Sequence, residues 1–192
     1  MLEAARSELV EHGHAAISLR AVARRAGLSH AAPKAHFEDR AALLTAVATD
    51  GFVALTADLA GVQAGPGTEL AALGRAYVRF GLANPALFDL MFRPSELHPD
   101  DPALQQAQSE AIGVLRSAVD RLCCDVGTDV RTGSSSAVAL VSWAFVQGLV
   151  VLTRDGALGG AAELDGKAVE DLALQLVDVF AATVAGTHPG TP

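Results

Sequence analysis

Between residues 18 and 40 the chain collects side chains suited to holding phosphate. Ser18, Arg20, Arg24, Ser29, His30, Lys34, His36 and Arg40 recur at intervals that leave them on the outer faces of short helices. Arginine and lysine neutralise phosphate oxygens. Serine hydroxyls, with the backbone N–H groups of helix starts at Ser18 and Ser29, add donors to the same oxygens. His30, near the start of the second short helix, is placed to read a base edge, and Ala31 beside it offers a methyl contact to thymine. A second set lies further on. Tyr77, Phe80, Phe88, Met91, Phe92, Trp143 and Gln147 combine aromatic bulk with one uncharged polar group, a composition that suits an apolar cavity in which Gln147 orients a ligand.

The elements that must position the first set are short helices separated by glycine. Leu2 to His12 ends at Gly13, Ser18 caps Leu19 to Ala26, and Ser29 caps a run to Phe37. Ala5, Leu9, Ile17, Leu19, Val22, Ala23, Leu28 and Phe37 fall on the inner faces and form a miniature core. Gly27 gives the tight turn between the two Ser-capped helices. This is the spacing of a helix-turn-helix, in which one helix braces across the backbone of double-stranded DNA and the next enters the major groove.

Helical periodicity continues to the end of the chain. Asp39 caps a helix to about Leu59, and Thr68 opens another to about Leu82. A short helix follows Asn84-Pro85 and ends near Arg93-Pro94. Asp101-Pro102 is an N-cap followed by proline at the first helical position. Helices are expected from about Ser135 to Arg154, and from about Lys167 to Ala185 after a glycine-rich loop at Gly156, Gly159 and Gly160. In the latter Val169, Leu172, Leu176, Val179 and Phe180 read as one stripe. The class is all-α, with no credible strand. Residues 1–48 form the expected DNA-binding domain, 49–185 a helical effector-binding and dimerisation domain, and 186–192 a disordered tail. The last two long helices are apolar on more of their circumference than a monomer needs, which predicts a homodimer paired through them.

Composition narrows the class of function. The 192 residues carry a net charge of −8. Within residues 1–49, however, six basic side chains face five acidic ones, and residues 50–192 hold 8 basic and 17 acidic side chains. A locally basic head on an acidic body fits an anionic partner for the head alone. No run of about 18 apolar residues lacks a charge or a turn signal, so no membrane association is expected. The adjacent Cys123 and Cys124 form no staple, which points to a reduced, cytoplasmic setting. His12 and His14 have no third ligand nearby, so no metal is expected. Ser134 to Ser136 lack an adjacent base, and no phosphate-cradling Gly-x-x-x-x-Gly-Lys occurs. The chain is read as a non-enzyme with no cofactor.

The stretch LEAARSELVEHGHAAISLRAVARRAGLSHAAPKAHFEDRAALLTAVA, residues 2–48, resembles the N-terminal domain of TetR-type bacterial transcriptional regulators. RAYVRFGLANPALFDLMFRP (75–94) and SWAFVQGLVVLTRDGAL (142–158) resemble the C-terminal domain of the subgroup named for a Trp-x-x-x-His-Gly motif. Three positions depart from the pattern: Lys34 stands where tyrosine is usual, Arg40 where lysine is usual, and Gln147 where the motif has histidine. The resemblance implies a ligand-responsive repressor that binds a pseudo-palindromic operator as a homodimer and releases it on binding a small hydrophobic effector. The alternative class is a helical small-molecule-binding or protein-interaction module whose head no longer reads DNA; Lys34 and the net charge favour it.

Overall fold

The computed structural model describes residues 1–28, 37–65, 67–125 and 134–186. Among the described residues every regular element is a helix. In chain order these are α1 (Leu2–His12), α2 (Leu19–Arg25), α3 (Arg40–Ala60), α4 (Glu69–Ala83), α5 (Pro85–Met91), α6 (Pro102–Asp125), α7 (Ser134–Arg154), α8 (Ala157–Ala162) and α9 (Gly166–Gly186). Single 3-10 turns occur at His14–Ala16 and Pro94–Glu96. Residues 187–192, which include most of the expected tail, and the side chains of Cys123 and Cys124 lie outside what is described.

The helix starts are set locally. Ser18 is extended (φ −136°, ψ 149°) and its hydroxyl accepts the Ala21 N–H at 3.1 Å. Asp39 Oδ1 accepts the Ala42 N–H at 2.7 Å at the start of α3, and Asp101 Oδ1 accepts the Leu104 N–H at 2.9 Å at the start of α6. Each satisfies a backbone donor that the first helical turn leaves open.

The chain divides into two compact units. The first comprises Met1–Ala54 with Asn84–Glu110, and the second Leu55–Ala83 with the chain from Ala111 on. Helices α3 and α6 each contribute one end to each unit. In the first unit Ala5, Leu9, Ile17, Val22 and Ala23 are buried as expected, together with Leu43, Leu44, Val47, Phe88, Leu90 and Met91. Leu28, expected inside, is 40% exposed, directly after the turn at Gly27. Phe92 meets Phe52 edge-on at 5.5 Å and Phe88 at 4.9 Å.

In the second unit α4 packs against α7 and α9. Leu70, Val119, Ala139 and Ala181 form one buried cluster. Two sequence readings are corrected here. The glycine-rich segment is not a loop: Ala157–Ala162 is a short helix, begun at Gly156 in the left-handed region. The stripe on α9 is also rotated. Val169, Ala173, Val177 and Ala181 are buried, whereas Val179 is 62% exposed. On α7 the small Ala139 and Ser142 go inside, while Leu140, Val141 and Leu152 stay out. Two helices, α3 and the Ala137–Arg154 part of α7, are long and apolar enough to cross a membrane, which a search for unbroken apolar runs did not anticipate. Half of that window in α3 is buried within the protein, against 28% in α7, and Leu140, Val141 and Leu152 of α7 stand exposed.

Candidate nucleic-acid interface and effector site

Helix α2 buries Val22 and Ala23 and turns Arg20 and Arg24, four residues apart, to solvent. Neither arginine meets an acidic partner among the described residues. The helix stops at Gly27, whose φ of 67° reverses the chain while the Leu28 N–H closes on the Ala23 carbonyl at 2.9 Å. That left-handed conformation is open to glycine at no steric cost. The turn leads directly into the segment expected to enter the groove. Ser29, His30, Ala31, Lys34 and His36 lie outside the described residues. Ser18, Arg20 and Arg40 are described, and the first two are exposed.

Two further arginines of the head are engaged internally. Arg25 Nε donates to Glu8 Oε1 at 2.6 Å and its two terminal nitrogens grip both oxygens of Glu11, tying α2 to α1. Glu8 is buried, so its carboxylate needs this cation. The same guanidinium holds the Glu11 carboxyl below its usual range. Sequence reading gave Arg25 no such role. Arg40, expected at a DNA phosphate, instead spans three acceptors: Nε to the Ile17 carbonyl at 3.0 Å, one terminal nitrogen to the His14 carbonyl at 2.6 Å, the other to Glu96 Oε2 at 2.6 Å. It braces the His14–Ile17 turn onto α3, and its guanidinium depresses the Glu96 carboxyl.

Around this brace lie further charged contacts within the same unit. His14 Nε2 stands 3.5 Å from Asp89, which also accepts two hydrogen bonds from Arg93. His98 Nε2 stands 3.2 Å from Asp39, and the His98 backbone N–H donates to the buried Thr45 hydroxyl at 2.8 Å. The Asp39 carboxyl is lowered, chiefly by the Ala42 N–H. The segment from Pro85 to His98 is thus fastened to the helix-turn-helix side of the unit.

The expected effector residues fall into two groups. Phe88 and Met91 are buried and Phe92 half-buried in the first unit, where Met91 and Leu87 lie against Gly51. Tyr77, Phe80, Trp143 and Gln147 belong to the second. There Tyr77 on α4 donates its phenolic proton to Gln147 Oε1 at 2.6 Å and accepts the Trp143 indole N–H at 3.1 Å. Tyr77 is 7% exposed, and burial pushes its phenol well above the usual tyrosine range. Phe80, one turn along α4, is also buried. Elsewhere in this unit a hollow of about 260 Å³ is bordered by Leu70, Ala118, Leu122 and the Glu69–Arg121 ion pair. Nothing in the sequence pattern pointed to it.

Residues 1–47 match the family described as bacterial regulatory proteins, tetR family, and residues 70–180 match the tetracyclin repressor-like C-terminal domain. No curated protein matches the sequence. Among solved structures, a protein of unknown function from Rhodococcus sp. RHA1 is 33% identical; the likeness covers 95% of this chain and 92% of that one, with a TM-score of 0.78. A tetR-family regulatory protein from Rhodococcus RHA1 shares the fold at 17% identity over 95% and 94% of the two chains, TM-score 0.68. So does the TetR family transcriptional regulator PfmR from Thermus thermophilus, at 22% identity over 94% and 96%, TM-score 0.65. With a head and a body that each match their own domain of one family, this chain belongs to the TetR family of bacterial transcriptional regulators.

Proposed function

We propose that the protein is a ligand-responsive repressor that binds a pseudo-palindromic operator in double-stranded DNA as a homodimer. One observation carries the reading. Among the described residues Arg20 and Arg24 stand exposed with no acidic partner on a Ser18-capped helix that runs into the Gly27 turn, while neighbouring Arg25 and Arg40 are neutralised internally. The head thus separates cations that hold it together from cations left for phosphate. We take residues 1–48 as the DNA-binding domain and the remainder as effector-binding and dimerising, in a cytoplasmic protein without catalytic activity.

The homodimer is supported by α7 and α9. Both leave large apolar side chains at the surface: Leu140 is 47% exposed, Val141 58%, Leu152 47% and Val179 62%. Phe145 and Phe180 stack at 4.3 Å and join the two helices. Pairing these helices with their copies about a two-fold axis makes a four-helix bundle and removes that apolar surface from water. Two heads related by the same axis then match two operator half-sites. The effector reading is supported by the aromatic and polar cluster at Tyr77, Trp143 and Gln147. Helix α3 runs without interruption from Arg40 to Ala60, and gives effector binding a route to the head. An effector that favours one arrangement of the heads shifts the population away from the DNA-competent one.

Selection of bound genomic fragments by the purified protein tests this. The expected result is a site with two related half-sites, bound by a dimer, with Arg20→Ala and Arg24→Ala weakening operator and random DNA alike. A monomer that ignores duplex DNA refutes the reading.

A further inference from the structure

The hydrogen bonds among Trp143, Tyr77 and Gln147 run in one direction. An indole N–H can only donate, so the Tyr77 oxygen accepts from Trp143. The phenolic proton is then directed to Gln147 Oε1. A carboxamide fixed through its oxygen turns its NH2 group away from that contact, and no described residue accepts from Gln147 Nε2. The chain therefore ends in donors.

The position of this end matters as much as its polarity. Trp143 and Gln147 sit one turn apart on a flank of α7. On one side lies the buried stripe of Ala139, Ser142, Val146 and Val150; on the other lies the exposed apolar face with Leu140 and Ala144. The pair belongs to neither the packed core nor the outermost apolar face. Each of the three side chains is uncharged at neutral pH. A cation would find no counter-charge in the cluster, and a pure hydrocarbon would leave the amide donors unanswered.

We propose that Gln147 Nε2 is the recognition group of the effector site and that the effector is a neutral, mainly apolar molecule presenting a carbonyl-type oxygen to it. The inference rests on the effector reading above and specifies its ligand. Tyr77 and Trp143 are positioning residues: they hold the amide in the donor-outward orientation.

The test uses the full-length protein and its single tryptophan, Trp143, as the reporter. Three probes of one shape are titrated while indole emission is followed: cyclohexyl methyl ketone, ethylcyclohexane and 1-cyclohexylethylamine, the last cationic at pH 7. The ketone is expected to bind about fivefold or more tighter than the hydrocarbon, the range of one net hydrogen bond, and the amine weakest. Gln147→Glu keeps an acceptor for Tyr77 but removes the donors, so it should abolish the ketone preference and favour the amine. Equal binding of ketone and hydrocarbon to the natural chain overturns the inference and leaves the effector reading standing. A ketone preference that survives in Gln147→Glu also overturns it. If none of the three probes moves the emission at millimolar concentration, the effector reading at this cluster fails, and the inference falls with it.

Discussion

At Gly74 α4 lies close against its neighbours, and Gly74→Ala measures how close. A Cβ there would lie 2.6 Å from Val177 Cγ1 on α9 and 3.4 Å from Val146 Cγ1 on α7. Carbon atoms rest at about 3.5–4.0 Å, so the first contact is short by roughly 1 Å. Val177 is buried and β-branched, with one strongly preferred rotamer in a helix, and it cannot swing aside. The helices must separate instead, and overpacking of this kind costs about 1–3 kcal/mol. Alanine returns about 1 kcal/mol of helix propensity over glycine. The net expectation is a loss of up to about 2 kcal/mol. Gly51→Ala is the matched control: its Cβ would meet Met91 Sδ at 2.7 Å, but the methionine chain can adjust, so the change should be near neutral. Urea unfolding at fixed protein concentration reads all of these, because a dimer's midpoint depends on concentration. Val177→Ala in the Gly74→Ala background makes room for the new methyl, and the two changes should couple favourably by about 1–2 kcal/mol. A Gly74→Ala protein more stable than the natural chain, or strict additivity in the cycle, would falsify the tight α4–α9 approach.

Other outcomes follow from the same contacts. Tyr77→Phe should cost about 1–3 kcal/mol, since the indole N–H and the Gln147 oxygen each lose a partner; unchanged urea midpoint and Trp143 emission would contradict the hydrogen-bond chain. Tyr77 is also the only tyrosine. Its folded-state pKa is raised, so the unfolded chain loses the proton first and stability falls as pH rises beyond about 10. Tyrosinate absorbance at 295 nm should accordingly appear with unfolding rather than as a free titration near pH 10. Arg40 and Glu96 form one brace, so Glu96→Ala should lower the melting temperature of the protein, though by less than Arg40→Ala, which also loses the Ile17 and His14 carbonyls, and the double variant should be little worse than Arg40→Ala alone. If Arg40 served a DNA phosphate instead, Glu96→Ala would tighten operator binding.

What the sequence could reveal depended on the range of the interaction. Ser18, Asp39 and Asp101 were legible as caps because a cap involves only the next three residues, and α1 ended at Gly13 for the same local reason. The facing of α9 was not. A helix whose apolar arc is wider than one stripe has no single periodic answer, and here the close approach of Val177 to Gly74 accompanies burial of the Val169–Ala181 stripe. Helix α8 was hidden by Gly159 and Gly160, which read as loop. Position 159 needs glycine because a Cβ would strike the Leu164 carbonyl at 2.8 Å, a packing demand visible only in three dimensions. The site divides the same way. The types at Tyr77, Trp143 and Gln147 marked them as a group, but the direction of their hydrogen bonds depends on pairing across 66 and 70 residues. The acid that captures Arg40 is 56 residues away, too far for any local pattern to distinguish a brace from a phosphate contact.

The internal neutralisation of Arg25 and Arg40 sets how the operator complex should respond to ionic strength. Association with duplex DNA draws much of its free energy from counterions displaced off the phosphates, about 0.9 per phosphate neutralised. An arginine already compensated by Glu8, Glu11 or Glu96 displaces none. With Arg20 and Arg24 alone acting in each of two heads, these four positions give log K a slope of about −4 against log of the salt concentration, where all eight arginines would give about −7. If the head docks as proposed, the compensation of Arg25 and Arg40 cuts by about half the salt sensitivity that these eight arginines would otherwise give.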